Sequence, residues 1–152
     1  MTKISVAVLA SGRGSNFKAI QEAILAGRCN AEIKVLITNK ADAPAIGIAK
    51  RHGIPVEIIE RKKFKSREEM DEKIKELLDR YGAGLVVLAG YMLVLKSKNL
   101  LEAYKNKIIN NQIYQNSLEG VRMEGVDYND IIGNMIKRQQ RKWSLVNEWF
   151  HF

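Results

Sequence analysis

The sequence has little sulfur and little imidazole: one cysteine, Cys29, and two histidines, His52 and His151, in 152 residues. A single thiol excludes an internal disulfide framework and any thiolate cluster for zinc or iron–sulfur, so no metal is expected. Cys29 reads as an inert small hydrophobe near the end of a helix. No apolar run approaches the roughly 18 residues that a membrane span requires, and no membrane partner is expected. The opening run MTKISVAVLA stops at Ser11-Gly12-Arg13-Gly14, too early for a signal peptide with its cleavage site. A cytoplasmic location follows as the default expectation. Internal repeats and low-complexity segments are also missing. What remains is ordinary for a soluble globular chain of one domain: 46% apolar and 28% charged residues.

The net charge of +8 invites a nucleic-acid reading, and its distribution argues against one. Residues 1–109 hold 20 Lys/Arg against 12 Asp/Glu, whereas 110–152 hold five of each. The densest basic run, Arg61, Lys62, Lys63, Lys65 and Arg67, has only Phe64 as an interleaved aromatic. Glu68, Glu69, Asp71 and Glu72 follow at once. A solvated loop and helix start, or attraction for a phosphorylated metabolite, accounts for it better than a nucleic-acid surface.

Hydrophobic patterning alternates between two periods. Ile4 to Leu9 and Leu85 to Ala89 are short apolar runs of the kind that form strands covered on both faces, and Ala31 to Thr38 reads as another strand. Ile54 to Ile59 reads as a further strand, and Ile108-Ile109 starts a fifth that ends at Asn110. Between them, Phe17, Ile20, Ile24 and Leu25 recur at helical spacing, with Gly27 as a stop. Pro44 suits the first turn of a helix through Arg51, and His52 then reads as a helix-end residue. Ser66 with Glu69 is a capping box ahead of a stripe of Met70, Ile74, Leu77 and Leu78. Leu100, Leu101 and Tyr104 suggest a short helix. This alternation predicts an α/β fold, an open, mostly parallel sheet flanked by helices on both faces. Its ligand edge lies outside the carboxyl ends of the first, fourth and fifth strands. Residues 111–130 hold no sustained period, and from Ile132 a weak helical pattern appears through Met135, Ile136, Trp143, Val146, Trp149 and Phe150.

Two segments carry the chemistry. Gly12, Gly14, Ser15 and Asn16 follow a buried strand and open a helix, where unpaired backbone amides and the helix dipole together stabilise an anion. A Walker loop is excluded, because Gly14 rather than lysine precedes Ser15. The third glycine of a dinucleotide fingerprint is replaced by Phe17. A tight strand–helix turn without a ligand is the plainer account of the same letters. The second segment is Gly90 followed by Tyr91, Met92, Leu93, Val94 and Leu95. Such a strand end either walls a flat, mostly apolar ligand or belongs to the core.

With these residues laid out, the chain resembles the phosphoribosylglycinamide formyltransferase family. The matching features are VLASGRGSN (Val8 to Asn16), ITNKADAPAIGIAKRHGIP (Ile37 to Pro55), Ser66-Arg67-Glu68, LAGYM (Leu88 to Met92) and Ile108-Ile109-Asn110. They run in family order over residues 1–110. The resemblance implies a Rossmann-like formyltransferase fold and transfer of a formyl group from 10-formyltetrahydrofolate, as cosubstrate, to glycinamide ribonucleotide in purine biosynthesis. It places the ribonucleotide phosphate at Gly14, Ser15 and Asn16 with Arg67 nearby, and the pterin along Tyr91, Met92, Leu93, Val94 and Leu95. It makes Asn110 the catalytic asparagine, donating to the formyl oxygen as charge develops there.

The resemblance stops abruptly. After its asparagine the family continues Ile-His-Pro-Ser-Leu, whereas this chain continues Asn111, Gln112 and Ile113. The catalytic histidine has no counterpart, and neither His52 nor His151 follows the fifth strand. The family's catalytic aspartate lies in Glu-Gly-x-Asp-Thr-Gly; Glu124-Gly125-Val126-Asp127 matches its beginning and makes Asp127 the corresponding position, reached after a much shorter segment. The expectation is therefore a formyltransferase-like nucleotide-binding portion over 1–110, incomplete at its C-terminal side, and a divergent tail over 111–152 with one helix at most. A truncated or disrupted gene product and a short relative that keeps its binding loops both fit. Three functions follow from these: an active enzyme, a non-catalytic phosphate-metabolite binding module, or an inactive fragment.

Overall fold

The computed structural model describes residues 3–111, with side chains through Ile109. Gln112, Asp127, the pattern from Ile132 and the divergent tail after Asn111 lie outside the described residues. The elements run β1 (Ile4–Ala10), α1 (Ser15–Leu25), β2 (Ala31–Thr38), α2 (Ala45–Arg51), β3 (Val56–Ile58), α3 (Arg67–Arg80), β4 (Leu85–Ala89), α4 (Lys98–Ala103) and β5 (Ile108–Asn111). All described strand pairs are parallel, in the order β3-β2-β1-β4-β5. From β1 the chain winds outward through β2 and β3, then returns to the other side of β1 for β4 and β5. The order therefore reverses between β1 and β4. That crevice, at the strands' carboxyl ends, is where open α/β sheets receive ligands.

Two apolar layers hold helices to the sheet, and strand alternation divides the residues between them. Val6, Val8 and Ala10 of β1 and Leu85, Val87 and Ala89 of β4 pack against Phe17 and Ile20 of α1 and Ile48 of α2. Ala7 and Leu9 of β1 and Val86 and Leu88 of β4 face Met70, Ile74, Leu77 and Leu78 of α3 and Leu100 of α4. A bulge in β2 sustains this division. Val6 pairs with Ile33 but Ala7 with Val35, so Lys34 is the extra residue and the facing of β2 inverts across it. Ala31 and Ile33 thus share a layer with Leu36, while Val35 and Ile37 enter the other.

The helix boundaries follow local chemistry. Gly27, Gly53 and Gly82 follow the ends of α1, α2 and α3 with positive φ. At α3 the Ser66 hydroxyl accepts from Glu69 N at 3.1 Å, as the capping box requires. Its reciprocal half is displaced by one residue, since the Glu69 carboxylate takes the Lys65 N–H at 2.6 Å. The third strand is shorter than its apolar run, because Pro55 has no N–H for the ladder and only its carbonyl joins, accepting from Leu36 N. The basic run opens in a turn over Arg61–Lys63, where the Glu60 carboxylate pairs with Lys62 at 3.2 Å and Lys63 at 2.8 Å.

Cys29 follows α1 and packs half-buried against the α1 layer. Burial pushes its thiol up from 9.0 to about 11, which leaves about a hundredfold less thiolate at neutral pH than an unperturbed group. Alkylation of the native protein by iodoacetamide at pH 7 is expected to run at least tenfold slower than that of the urea-unfolded chain, followed by mass spectrometry. Equal rates would contradict this environment.

Candidate functional site

Three loops meet at the crevice: 11–14 after β1, 39–44 after β2 and 90–97 after β4. The first is shaped by Gly14, the N-cap of α1, which sits at φ 75 and ψ 27 with no side-chain cap on the helix. The amides of the first turn are therefore left to whatever approaches from the crevice. Ser15 is exposed and Asn16 half-exposed at that turn, while Phe17 is buried. Glycine at position 14 also has a packing reason. A Cβ there would lie 2.7 Å from the Ala45 Cβ, where α2 begins. Ala45 N donates to Gly12 O at 3.2 Å, so the second helix is tied directly to the loop.

Ser11, which the sequence shows only as the end of an apolar run, joins all three loops. It is 2% exposed. Its hydroxyl donates to Asn39 Oδ1 at 2.5 Å and accepts from Met92 N at 2.8 Å, and its own N–H donates to Gly90 O at 3.2 Å. Gly90, at φ 73, makes the turn that brings Met92 N back to Ser11.

The segment after Gly90 splits by alternation. Tyr91 is buried in the α3 layer, and Leu93 and Leu95 pack against that layer from its margin. Met92 and Val94 point outward, 71% and 61% exposed. Burial, with a smaller contribution from the charge of Asp71, pushes the Tyr91 phenol above its ordinary range. Arg67, the first residue of α3, reaches this strip: its Nη1 donates to Val94 O at 3.3 Å.

One turn further along α3, Asp71 holds the same strip at its far end. Its Oδ2 accepts from Lys96 N at 2.5 Å and from Ser97 N at 3.0 Å. Ser97 donates its hydroxyl to Glu72 and caps α4 by accepting from Leu100 N. Asp71 is 1% exposed. Burial raises its carboxyl above the usual 3.8, against the lowering effect of the Lys96 and Ser97 amides and of Arg67. Its spacing to Ile74 and Leu78 places it on the buried stripe of α3, which is the signal the sequence offers. Asn110 lies in β5 with its backbone paired to Leu88 of β4, at the carboxyl ends of the strands.

The sequence profile of the formyl transferase family matches residues 4–112. The chain belongs to the formyl transferase family. Among its relatives, the phosphoribosylglycinamide formyltransferase of Haemophilus influenzae is 40% identical over 105 residues, 69% of this chain and 49% of that protein. The human trifunctional purine biosynthetic protein adenosine-3 is 36% identical over 108 residues, 71% of this chain and 11% of that one. In three dimensions, the phosphoribosylglycinamide formyltransferase of Coxiella burnetii, solved in complex with CHES, superposes with a TM-score of 0.67 at 36% identity. That match covers 71% of this chain and 50% of that one. The chain thus spans about half the length of the single-activity relatives it matches.

The parallel sheet and flanking helices of this family member are those its apolar runs predict. Among the described residues there is no group of three or more His, Cys, Asp or Glu able to hold a metal ion. No described helix is long and apolar enough to cross a membrane.

Proposed function

We propose that residues 1–110 are the substrate-holding portion of a phosphoribosylglycinamide formyltransferase, and that the chain unaided transfers formyl groups at a negligible rate. The phosphate of glycinamide ribonucleotide sits on the first-turn amides at Gly14, Ser15 and Asn16, with Arg67 completing the charge around it. The pterin of 10-formyltetrahydrofolate lies along Tyr91 to Leu95, where Met92 and Val94 offer apolar surface and the intervening backbone offers polar groups. The observation that carries this reading is the uncapped start of α1, opening into the strand-order reversal of a formyl transferase sheet.

In the reaction, the glycinamide amine attacks the formyl carbon and its electrons pass to the formyl oxygen. Asn110 donates a hydrogen bond to that oxygen. Collapse of the intermediate breaks the bond to the folate nitrogen, which takes up the proton the amine has lost. Moving that proton needs a titratable group beside the asparagine. Gln112 stands where relatives of this kind carry histidine, and its amide has no titratable group to take up and return a proton. Asp127 is the acidic position of the proposed site, by its match to the family's catalytic aspartate. Loss of a general acid–base residue costs about 10²- to 10⁴-fold in rate.

Two filled apolar layers favour a folded binding module over an unstable fragment. A turnover assay with glycinamide ribonucleotide and 10-formyltetrahydrofolate is expected to give a rate at least about 100-fold below that of an intact enzyme assayed in parallel. A rate equal to the intact enzyme's would contradict the proposal.

A further inference from the structure

We infer that Ser11 is a positioning residue that couples the anion loop to the apolar wall, so that a phosphate ester bound at Gly14 to Asn16 rigidifies the backbone at Met92. The inference rests on the proposed phosphate site.

A serine hydroxyl has one proton to give and lone pairs to accept with. At Ser11 the proton goes to Asn39 Oδ1, and Met92 N–H comes to the oxygen. The rotor is thus fixed from both sides in a position 2% exposed. The Ser11 N–H, donating to Gly90 O, adds a second bond across the same gap. Two residues, Gly12 and Arg13, separate this hub from Gly14, and the first of them has its carbonyl held by Ala45 N. The loop therefore has little slack between the anion amides and Ser11. Ordering it at one end restrains the hydroxyl at the other, and Met92 N has that hydroxyl as its acceptor. Met92 and Val94 are the exposed apolar side chains of the wall, so the backbone that Ser11 holds is the one that aims them.

The measurement is amide hydrogen exchange on the full chain, with and without ribose 5-phosphate, in wild type, Ser11→Ala and Asn39→Ala. In wild type the ligand is expected to slow the amides of Ser15, Asn16 and Met92 together. In Ser11→Ala, Met92 exchanges about tenfold faster and no longer responds to ligand, while Val87 in β4 keeps its protection. Asn39→Ala keeps the acceptor for Met92 but frees the rotor, and gives a reduced response. A purely structural serine would speed exchange in the variant without making Met92 respond to ligand in wild type. Slowing of Ser15 and Asn16 with Met92 unchanged overturns the coupling and leaves the phosphate site standing. An equal Met92 response in Ser11→Ala overturns Ser11 as the link. No slowing at any of the three amides overturns the phosphate site and the coupling with it. The wild-type comparison holds even where a variant fails to fold.

Discussion

Replacing Gly14 with alanine is expected to destabilise the fold by about 2–5 kcal/mol, the largest effect of any single methyl group added among the described glycines. Two costs add at that position. A left-handed φ of 75 costs an L-residue about 1–2 kcal/mol. The new Cβ would lie 2.7 Å from the Ala45 Cβ and 3.0 Å from the Ala45 Cα, and such overpacking costs about 1–3 kcal/mol. Against a total stability of about 5–15 kcal/mol this is a large fraction. Two controls separate the terms. Gly90 has φ 73 with nothing within 4 Å of an added methyl, so Gly90→Ala carries the backbone cost alone. Gly12 has open space and no positive φ, so Gly12→Ala falls within about 0.5 kcal/mol of wild type. Urea titrations of the three variants should rank Gly14→Ala lowest, Gly90→Ala next and Gly12→Ala beside wild type. Equal midpoints for Gly14→Ala and Gly90→Ala would show that α2 does not press on the loop.

Removing the Asp71 side chain is the second large effect, expected at about 2–4 kcal/mol in Asp71→Ala. The substitution leaves the Lys96 and Ser97 amides without their acceptor, and each unsatisfied buried group costs about 1–3 kcal/mol. Asp71→Asn keeps an oxygen at the same place and should retain most of the stability. The two variants thereby separate the acceptor from the charge. The pH dependence has a definite sign. Burial raises the Asp71 carboxyl in the folded state, so the native protein binds the proton more tightly than the unfolded chain. This group's contribution is fully present below the unfolded carboxylate range and is lost as pH rises through the raised folded value. Stability measured from mildly acidic to neutral pH should therefore fall more for wild type than for Asp71→Asn. The opposite difference would mean that the amides and Arg67 outweigh burial.

Much of this architecture is visible in the letters, for a physical reason. Strands β1 and β4 are covered on both faces, so their residues are nearly all apolar, and the bounds of β1, β2 and β4 match their runs to within a residue. The capping serine of α3 is likewise local chemistry. The segment 91–95 shows where local reading ends. Its run of large apolar residues is equally good as wall or core, and only the backbone's alternation assigns Tyr91, Leu93 and Leu95 inward and Met92 and Val94 outward. The Ser11 hub lies further out of reach. Its partners are 28 and 81 residues away in sequence, and a single small polar residue leaves no periodic trace. Asp71 falls between these cases: its helical spacing puts a carboxylate on the buried stripe, but the amides it serves lie 25 and 26 residues on.

The claim that organises the site is that the first turn of α1 holds the phosphate of glycinamide ribonucleotide. Ser15→Asp isolates it. Ser15 is exposed and begins α1, where a carboxylate suits the helix dipole and should leave the melting temperature unchanged or slightly raised. The same charge repels a phosphate from those amides. Calorimetric titration of glycinamide ribonucleotide into both proteins is therefore decisive. Saturable binding to wild type, weakened at least tenfold in Ser15→Asp, is the expected result. Equal affinity in the two proteins, or no saturable binding to a folded wild-type chain, would contradict it.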